Sequence, residues 1–126
     1  MNQHRFTPGP WAVFHDHADP ATARDYAEIR PVGTRRHDGE SIAGLYLCDF
    51  PGSKQEANAQ LIAAAPDLLH ELRLAHTFIR NALAIMTPDQ KSEWAARNIL
   101  GGNDSDGTTR AHEREAVIAK ATGVQR

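Results

Sequence analysis

The segment "SKQEANAQLIAAAPDLLHELRLAHTFIRNALAIM", residues Ser53–Met86, decides the fold of this 126-residue chain. Its apolar residues recur at a spacing of three and four, which predicts an amphipathic helix with one packing face. They are Leu61, Ala65, Leu68, Leu69, Leu72, Ala75, Phe78, Ile79, Ala82, Leu83 and Met86. Pro66 interrupts the segment, because proline has no amide hydrogen and clashes with the preceding turn. We therefore predict a kinked helix: a short part ending near Ala64 or Ala65, then a longer part with Pro66 at its first position.

Start signals mark this helix and the one that follows it. Ser53 is followed three residues later by Glu56, which predicts a capping box at the first turn. Thr87 and Gln90 repeat the pattern, and the helix that they open should stop at the glycine pair 101–102.

Three segments before the helix have the composition of strands. They are "WAVFHDH" (11–17), "YAEIRPV" (26–32) and "SIAGLYLCDF" (41–50). The third is the most apolar, so we expect it to be the central strand. Gly44 in its middle predicts a bulge or a close backbone approach, and Pro31 confines the second segment to an edge or a strand end.

These elements predict an α+β fold. A three-stranded antiparallel β-meander packs on the kinked helix, and two C-terminal helices follow, the last covering roughly Arg110–Thr122. We expect residues 1–126 to form a single domain, with a β-meander half (1–52) and a helical half (53–126). The second face of the sheet has no predicted cover, which favours a homo-oligomer.

Composition limits the classes of function. The net charge of -2 and the pI near 6.4 argue against an extended nucleic-acid surface. Cys48 is the single cysteine, so no internal disulfide is expected. We find no apolar run of membrane-spanning length and no signal-peptide pattern, and therefore expect a cytoplasmic protein without a membrane partner.

Three short blocks carry a resemblance to a known family. They are "TPGPW" (7–11), "ANAQLIAAAPDLLHEL" (57–72) and "AVIAKATG" (116–123). In this order and spacing they resemble a large family of small bacteriophage and prophage proteins. The resemblance implies a phage gene and a bacterial host cytoplasm, but no reaction. Residues 16–40 and the loop 101–109 match no block.

Basic and aromatic residues near the second hairpin form the best candidate ligand site. Guanidinium groups fork onto phosphates and stack on bases, so the set points to a nucleotide or a related anion. An alternative interpretation is a solvated hairpin loop. The candidates are Tyr26, Arg30, Arg35, Arg36 and His37, together with Arg110 at a helix start, where unpaired amides favour phosphate.

No catalytic or metal constellation is predicted. His15 and His17 would share a strand face, but no third zinc ligand is fixed by the spacing. Cys48 lies in an apolar strand and reads as a core residue. Trp11 and Trp94 read as core anchors rather than stacking platforms. We therefore expect no cofactor, and a binding protein rather than an enzyme.

The leading hypothesis is a phage accessory protein that counteracts host defence by sequestering a nucleotide-type immune signal. A second hypothesis is a protein–protein inhibitor that docks on a host defence effector. A third is a small nucleotide-processing enzyme. The expected partner is accordingly a small nucleotide or a host defence protein.

Overall fold

The computed structural model describes residues 6–19, 24–34, 41–46, 54–100 and 109–123. In these ranges the fold is α+β, as predicted. The strands are β1 (Trp11–Asp19), β2 (Arg24–Pro31) and β3 (Ala43–Tyr46). The helices are α1 (Lys54–Ala63), α2 (Ala65–Ile85), α3 (Pro88–Leu100) and α4 (Ala111–Thr122). Ser53, Cys48 and the loop 101–108 lie outside the described residues.

The three strands form one antiparallel sheet in the order β1-β2-β3. The expectation that the third strand is central was wrong. Successive hairpins place β2 in the middle, and its centre is buried on both faces although it carries Glu28 and Arg30. Strand position therefore follows connectivity here rather than apolar content. Pro31 is the last residue of β2, where its missing donor is tolerated.

The pairing of β1 with β2 is regular from Trp11↔Pro31 to Phe14↔Glu28 and then shifts before His17 pairs with Tyr26. Such a shift is a β-bulge, which places one extra residue on β1. The bulge interrupts the regular two-residue alternation of β1 between Phe14 and His17.

One face of the sheet packs against α1. Ala27 and Ile29 of β2 are fully buried and form a core cluster with Ala59 and Ala63 of α1. The half-buried residues around this cluster are Trp11, Val13, Ile42, Ala43, Leu45 and Ile62. Because α1 presents alanines, its backbone lies close to the sheet and few large side chains are needed to fill the layer.

The second face is not open at its centre, which corrects the expectation of an uncovered face. Arg30 is 2% exposed, and its guanidinium carbon lies 4.0 Å from the centre of the Phe14 ring. Tyr26 lies where a side chain at Gly44 would stand, and its hydroxyl and ring edge occupy the Cβ position. The glycine at position 44 thus accommodates an aromatic side chain rather than the predicted bulge or close backbone approach.

The predicted break in the long helix is confirmed. α1 ends at Ala63 and α2 begins at Ala65, with Pro66 in its first turn. Backbone hydrogen bonds continue on both sides, from the Ala64 amide to the Gln60 carbonyl (3.0 Å) and from the Leu68 amide to the Ala64 carbonyl (2.9 Å). The break is therefore a local elbow, since Pro66 removes one donor and the adjacent bonds persist.

The predicted apolar face of the segment is wide, and its two sides differ in burial. On α2 the inner stripe contains Leu69, Leu72, Ile79 and Leu83, which are buried or half-buried, and Met86 directly after α2 is half-buried too. The outer stripe contains Leu68, Ala75, Phe78 and Ile85, which are exposed. Phe78 is 64% exposed and Ile85 is 85% exposed. Eleven residues at mixed spacings of three and four cover more of a helix than one partner surface buries.

The helix-end signals that lie in the described ranges are confirmed. The Gln90 side chain accepts from the Thr87 amide (2.8 Å), and the Gln90 amide donates to the Thr87 hydroxyl (3.3 Å). This is a complete capping box at the start of α3. α4 ends at Gly123, whose φ of 70° is the left-handed conformation that glycine adopts readily.

The chain divides into two compact units, Met1–Leu68 and Leu69–Arg126. The first contains the sheet and α1, so α1 belongs with the strands. In the second, α2 and α4 meet at His76, whose Nδ1 accepts from Arg114 Nε at 3.2 Å. The Nε2 atom of His76 lies 3.6 Å from the Glu115 carboxylate, and Arg114 also donates to the Thr109 carbonyl.

Candidate functional site

The predicted basic set is only partly described. Arg35, Arg36 and His37 lie outside the described residues. Arg30 is described and is almost completely buried over Phe14, on the face that Tyr26 shares. A guanidinium in this position stabilises the sheet by stacking on the ring, and a solvent-borne phosphate has little access to it.

Arg110 belongs to the second unit. It precedes α4 with φ 50° and ψ 33°, and it makes no side-chain cap hydrogen bond. Its side chain is 46% exposed, and its Nη1 atom lies 3.9 Å from the Glu113 carboxylate. This guanidinium is accessible, but the neighbouring carboxylate offsets part of its attraction for an anion.

A different site lies in the first unit, between the start of β1 and the elbow of α1 and α2. It is an open cleft of about 390 Å³, here called the elbow cleft. Its lining residues are Trp11, Ala12, Val13, Gln60, Ala63, Ala64 and Asp67. The volume falls within the range of small-ligand and side-chain pockets, about 300–1,000 Å³.

The helical wall of the elbow cleft is one face of the elbow. Gln60, Ala63, Ala64 and Asp67 stand at positions i, i+3, i+4 and i+7, which follow one another along a helix surface. The alanines in the middle keep the floor low. Gln60 and Asp67 therefore place an amide and a carboxylate at the two ends of an apolar floor.

The strand wall is built around Trp11. Its indole N–H donates to the Thr7 carbonyl (3.1 Å) and is also within 3.3 Å of the Pro8 carbonyl. The polar edge of the indole is therefore used inside the chain, and what the ring offers a ligand is its apolar surface.

The residues directly before β1 pack against the elbow, where Gly9 lies close to Pro66. A Cβ atom added at Gly9 would stand 2.6 Å from Cβ of Pro66, so only glycine allows this approach. The blocks "TPGPW" and "ANAQLIAAAPDLLHEL" thus meet in space, and together they supply most of the elbow cleft.

The lining of the elbow cleft holds few ionisable side chains. Among its lining residues Asp67 is the one that carries a formal charge, and none is a serine, cysteine, histidine or lysine. An aspartate can accept hydrogen bonds from a ligand or act as a general base. The arrangement suits a group that is apolar or planar and bears hydrogen-bond donors.

The described part of the chain contains no cluster of metal-ligating side chains. His15 Nε2 lies 4.0 Å from the Glu56 carboxylate. Across the described ranges, no three His, Cys, Asp or Glu side chains are grouped so that they could hold a metal ion.

The elbow cleft was not predicted from the sequence. The signal that could have found it is the polar pair Gln60 and Asp67 flanking two alanines at helical spacing. That signal becomes specific only when the facing wall is known, and Trp11 is distant in sequence.

The fold and the elbow cleft define a small α+β protein with an open, weakly acidic pocket between its first strand and a helical elbow. The chain belongs to the family described as Salmonella phage P22 protein Y8K6, whose model matches residues 1–125. This match confirms the expectation that the chain belongs to a phage protein family. No curated protein and no solved structure matches the chain. None of the helices within the described ranges has the length and apolar character needed to cross a membrane.

Proposed function

We propose that this phage-family protein is a non-enzymatic accessory protein that counteracts host defence by docking on a host protein through the elbow cleft. The observation that carries the proposal is the elbow cleft itself, in which Trp11 faces the alanine floor and Asp67 stands at one end. Buried aromatic anchors beside small residues are typical of the pockets that receive a partner's side chain. The role against host defence rests on membership of a phage protein family.

Charge favours a protein partner over a nucleotide at this site. The formal charge of the elbow cleft is that of the Asp67 carboxylate, which repels phosphate. Arg30, the strand residue of the proposed anion site, is 2% exposed. Arginine is not among the residues that line the elbow cleft.

Sequestration of a nucleotide-type immune signal stays as the alternative. It now depends on Arg35, Arg36 and His37 together with Arg110, whose side chain is 46% exposed. A nucleotide-processing enzyme is the third candidate.

The test of the docking proposal compares two variants of one helix. Gln60→Arg fills the elbow cleft with a long cationic side chain, whereas Asn58→Arg places the same side chain at an exposed position of α1 outside the lining. Tagged proteins are used to purify partners from host lysate, and phage plating is measured on a host that carries its defence systems. We expect Gln60→Arg to lose a stoichiometric partner and the plating advantage, and Asn58→Arg to keep both.

Equal behaviour of the two variants would exclude the elbow cleft as the docking site. The nucleotide alternative has its own measurement, which is titration calorimetry with cyclic nucleotides and ADP-ribose derivatives. Binding that disappears in Arg35→Glu/Arg36→Glu but persists in Gln60→Arg would replace docking by sequestration. Turnover of any compound in this panel would instead establish an enzyme.

A further inference from the structure

We infer that the elbow cleft receives the guanidinium group of an arginine side chain presented by the docking partner. The inference rests on the proposed function, since it names the chemistry of the group that the host protein would insert. It goes beyond that proposal because docking through an apolar or neutral side chain would satisfy the proposed function equally well.

Charge complementarity is the first argument. Asp67 carries the formal charge among the lining residues, and it lies in the first turn of α2. A carboxylate with no cation among the other lining residues favours a cationic guest. A guanidinium suits it well, because its planar fork can give two parallel hydrogen bonds to one carboxylate.

The small and aromatic residues that line the elbow cleft are the second argument. Its floor is made of Ala63 and Ala64 and its strand wall of Ala12, Val13 and the Trp11 indole. Because the indole N–H already donates to the Thr7 carbonyl, Trp11 offers its π-surface rather than a donor. Guanidinium groups stack on such surfaces and are more weakly hydrated than ammonium groups, so arginine should be preferred to lysine.

Gln60 completes the set of acceptors. It stands two helical turns before Asp67 on the same face of the elbow, separated from it by the alanines. Its side-chain carbonyl can accept from the guanidinium edge that does not meet Asp67. The elbow cleft then offers a hydrogen-bond acceptor at each end of the floor and the aromatic surface of Trp11 on its strand wall.

The experiment uses the full chain and N-acetyl-L-arginine amide as the probe. The indole N–H resonance of Trp11, assigned with a Trp94→Phe variant, is followed during titration. We expect a saturable shift, with about tenfold weaker binding for the lysine amide and for the citrulline amide, which keeps the shape but lacks the charge. Asp67→Asn should weaken binding of the arginine probe by about tenfold.

Asp89→Asn is the matched control, because Asp89 lies in the first turn of α3 as Asp67 lies in the first turn of α2, and it does not line the elbow cleft. It should leave the binding unchanged. A shift that does not saturate, equal binding of the citrulline probe, or full binding by Asp67→Asn would each overturn the inference. If the host partner is still lost in Gln60→Arg but retained in Asp67→Asn, docking through the elbow cleft is supported. The inference that the partner inserts an arginine side chain is then wrong.

Discussion

At the scale of single residues, the contact between Gly44 and Tyr26 shows how a glycine in a strand can be required by a neighbour. A Cβ atom at position 44 would overlap the Tyr26 hydroxyl and the nearby ring edge. The ring covers the bare backbone of the edge strand, as aromatic residues often do opposite glycine.

Gly44→Ala should therefore destabilise the protein, even though alanine is less unfavourable in strands than glycine. The ring must leave its position, and we expect a loss of about 1–3 kcal/mol in the free energy of unfolding. Urea denaturation measures it. The matched test is the double variant Tyr26→Leu/Gly44→Ala, which should cost less than the sum of the two single changes by at least about 0.5 kcal/mol. Strict additivity would show that the contact does not exist.

Single residues also show what a sequence pattern leaves open. The alternation along β2 places Tyr26 and Arg30 on one face and Ala27 and Ile29 on the other. It does not reveal that Arg30 is buried, because burial depends on Phe14 of the neighbouring strand and on the pairing register. Arg35, Arg36 and His37 lie outside the described residues, so the basic site as a whole stays a prediction.

At the scale of elements, α2 has two apolar stripes with different surroundings. Leu68 and Leu69 are adjacent leucines, yet Leu68 is 53% exposed and Leu69 is 9% exposed. Leucine can therefore be changed to alanine on either stripe. Because the change in helix propensity is the same at both positions, the difference in the free energy of unfolding reports on burial.

Leu69→Ala should lower the free energy of unfolding by about 2–3 kcal/mol, because it opens a cavity in the inner stripe. Leu68→Ala should change it by no more than about 0.5 kcal/mol, since the side chain already contacts water. Chemical denaturation of both variants gives the comparison. Similar losses for the two would mean that the outer stripe is covered in solution.

The capping box of α3 gives a second prediction for an element. Thr87→Ala removes the hydroxyl that accepts from the Gln90 amide, and we expect a loss of about 1 kcal/mol. Hydrogen exchange in the first turn of α3 should rise in parallel. Ser92→Ala is the control, because Ser92 donates to the Pro88 carbonyl from within the helix, a bond that adds little to helix stability. An equal effect of both changes would contradict the role of the cap.

At the scale of the whole molecule, the two compact units differ in how much they bury. Four apolar side chains of the first unit belong to its core cluster, namely Ala27, Ile29, Ala59 and Ala63. Among the described residues of the second unit, Leu69 is the apolar side chain that counts as buried. Units with less buried apolar area open at lower free energy.

We therefore expect the second unit to unfold first. Each unit carries one of the two tryptophans, Trp11 in the first and Trp94 in the second. Urea unfolding followed by fluorescence should give a lower midpoint in Trp11→Phe, which reports on Trp94, than in Trp94→Phe, which reports on Trp11. Far-ultraviolet circular dichroism of each variant corrects for any change in its overall stability. Coincident transitions would support the single domain expected from the sequence.

The helix ends, the elbow at Pro66 and the three-strand meander were predictable because each depends on neighbouring residues. The capping box is formed by two residues three positions apart, Thr87 and Gln90. The end of α4 depends on Gly123, which adopts the left-handed conformation of a C-cap. The central strand was not predictable from apolar content. β2 is buried by its position between two hairpins, and this position depends on pairing rather than composition.

The sequence by itself determined the α+β class, the broken helix and membership of a phage protein family, since local backbone chemistry and short sequence blocks carry all three. Only the tertiary structure decided which apolar residues of the segment Ser53–Met86 are buried, because the burial of a helix residue depends on which other elements pack against it. It also decided where an open cleft forms. The elbow cleft needs Trp11 and Asp67 together, and only the folding of the strand onto the helical elbow brings them there.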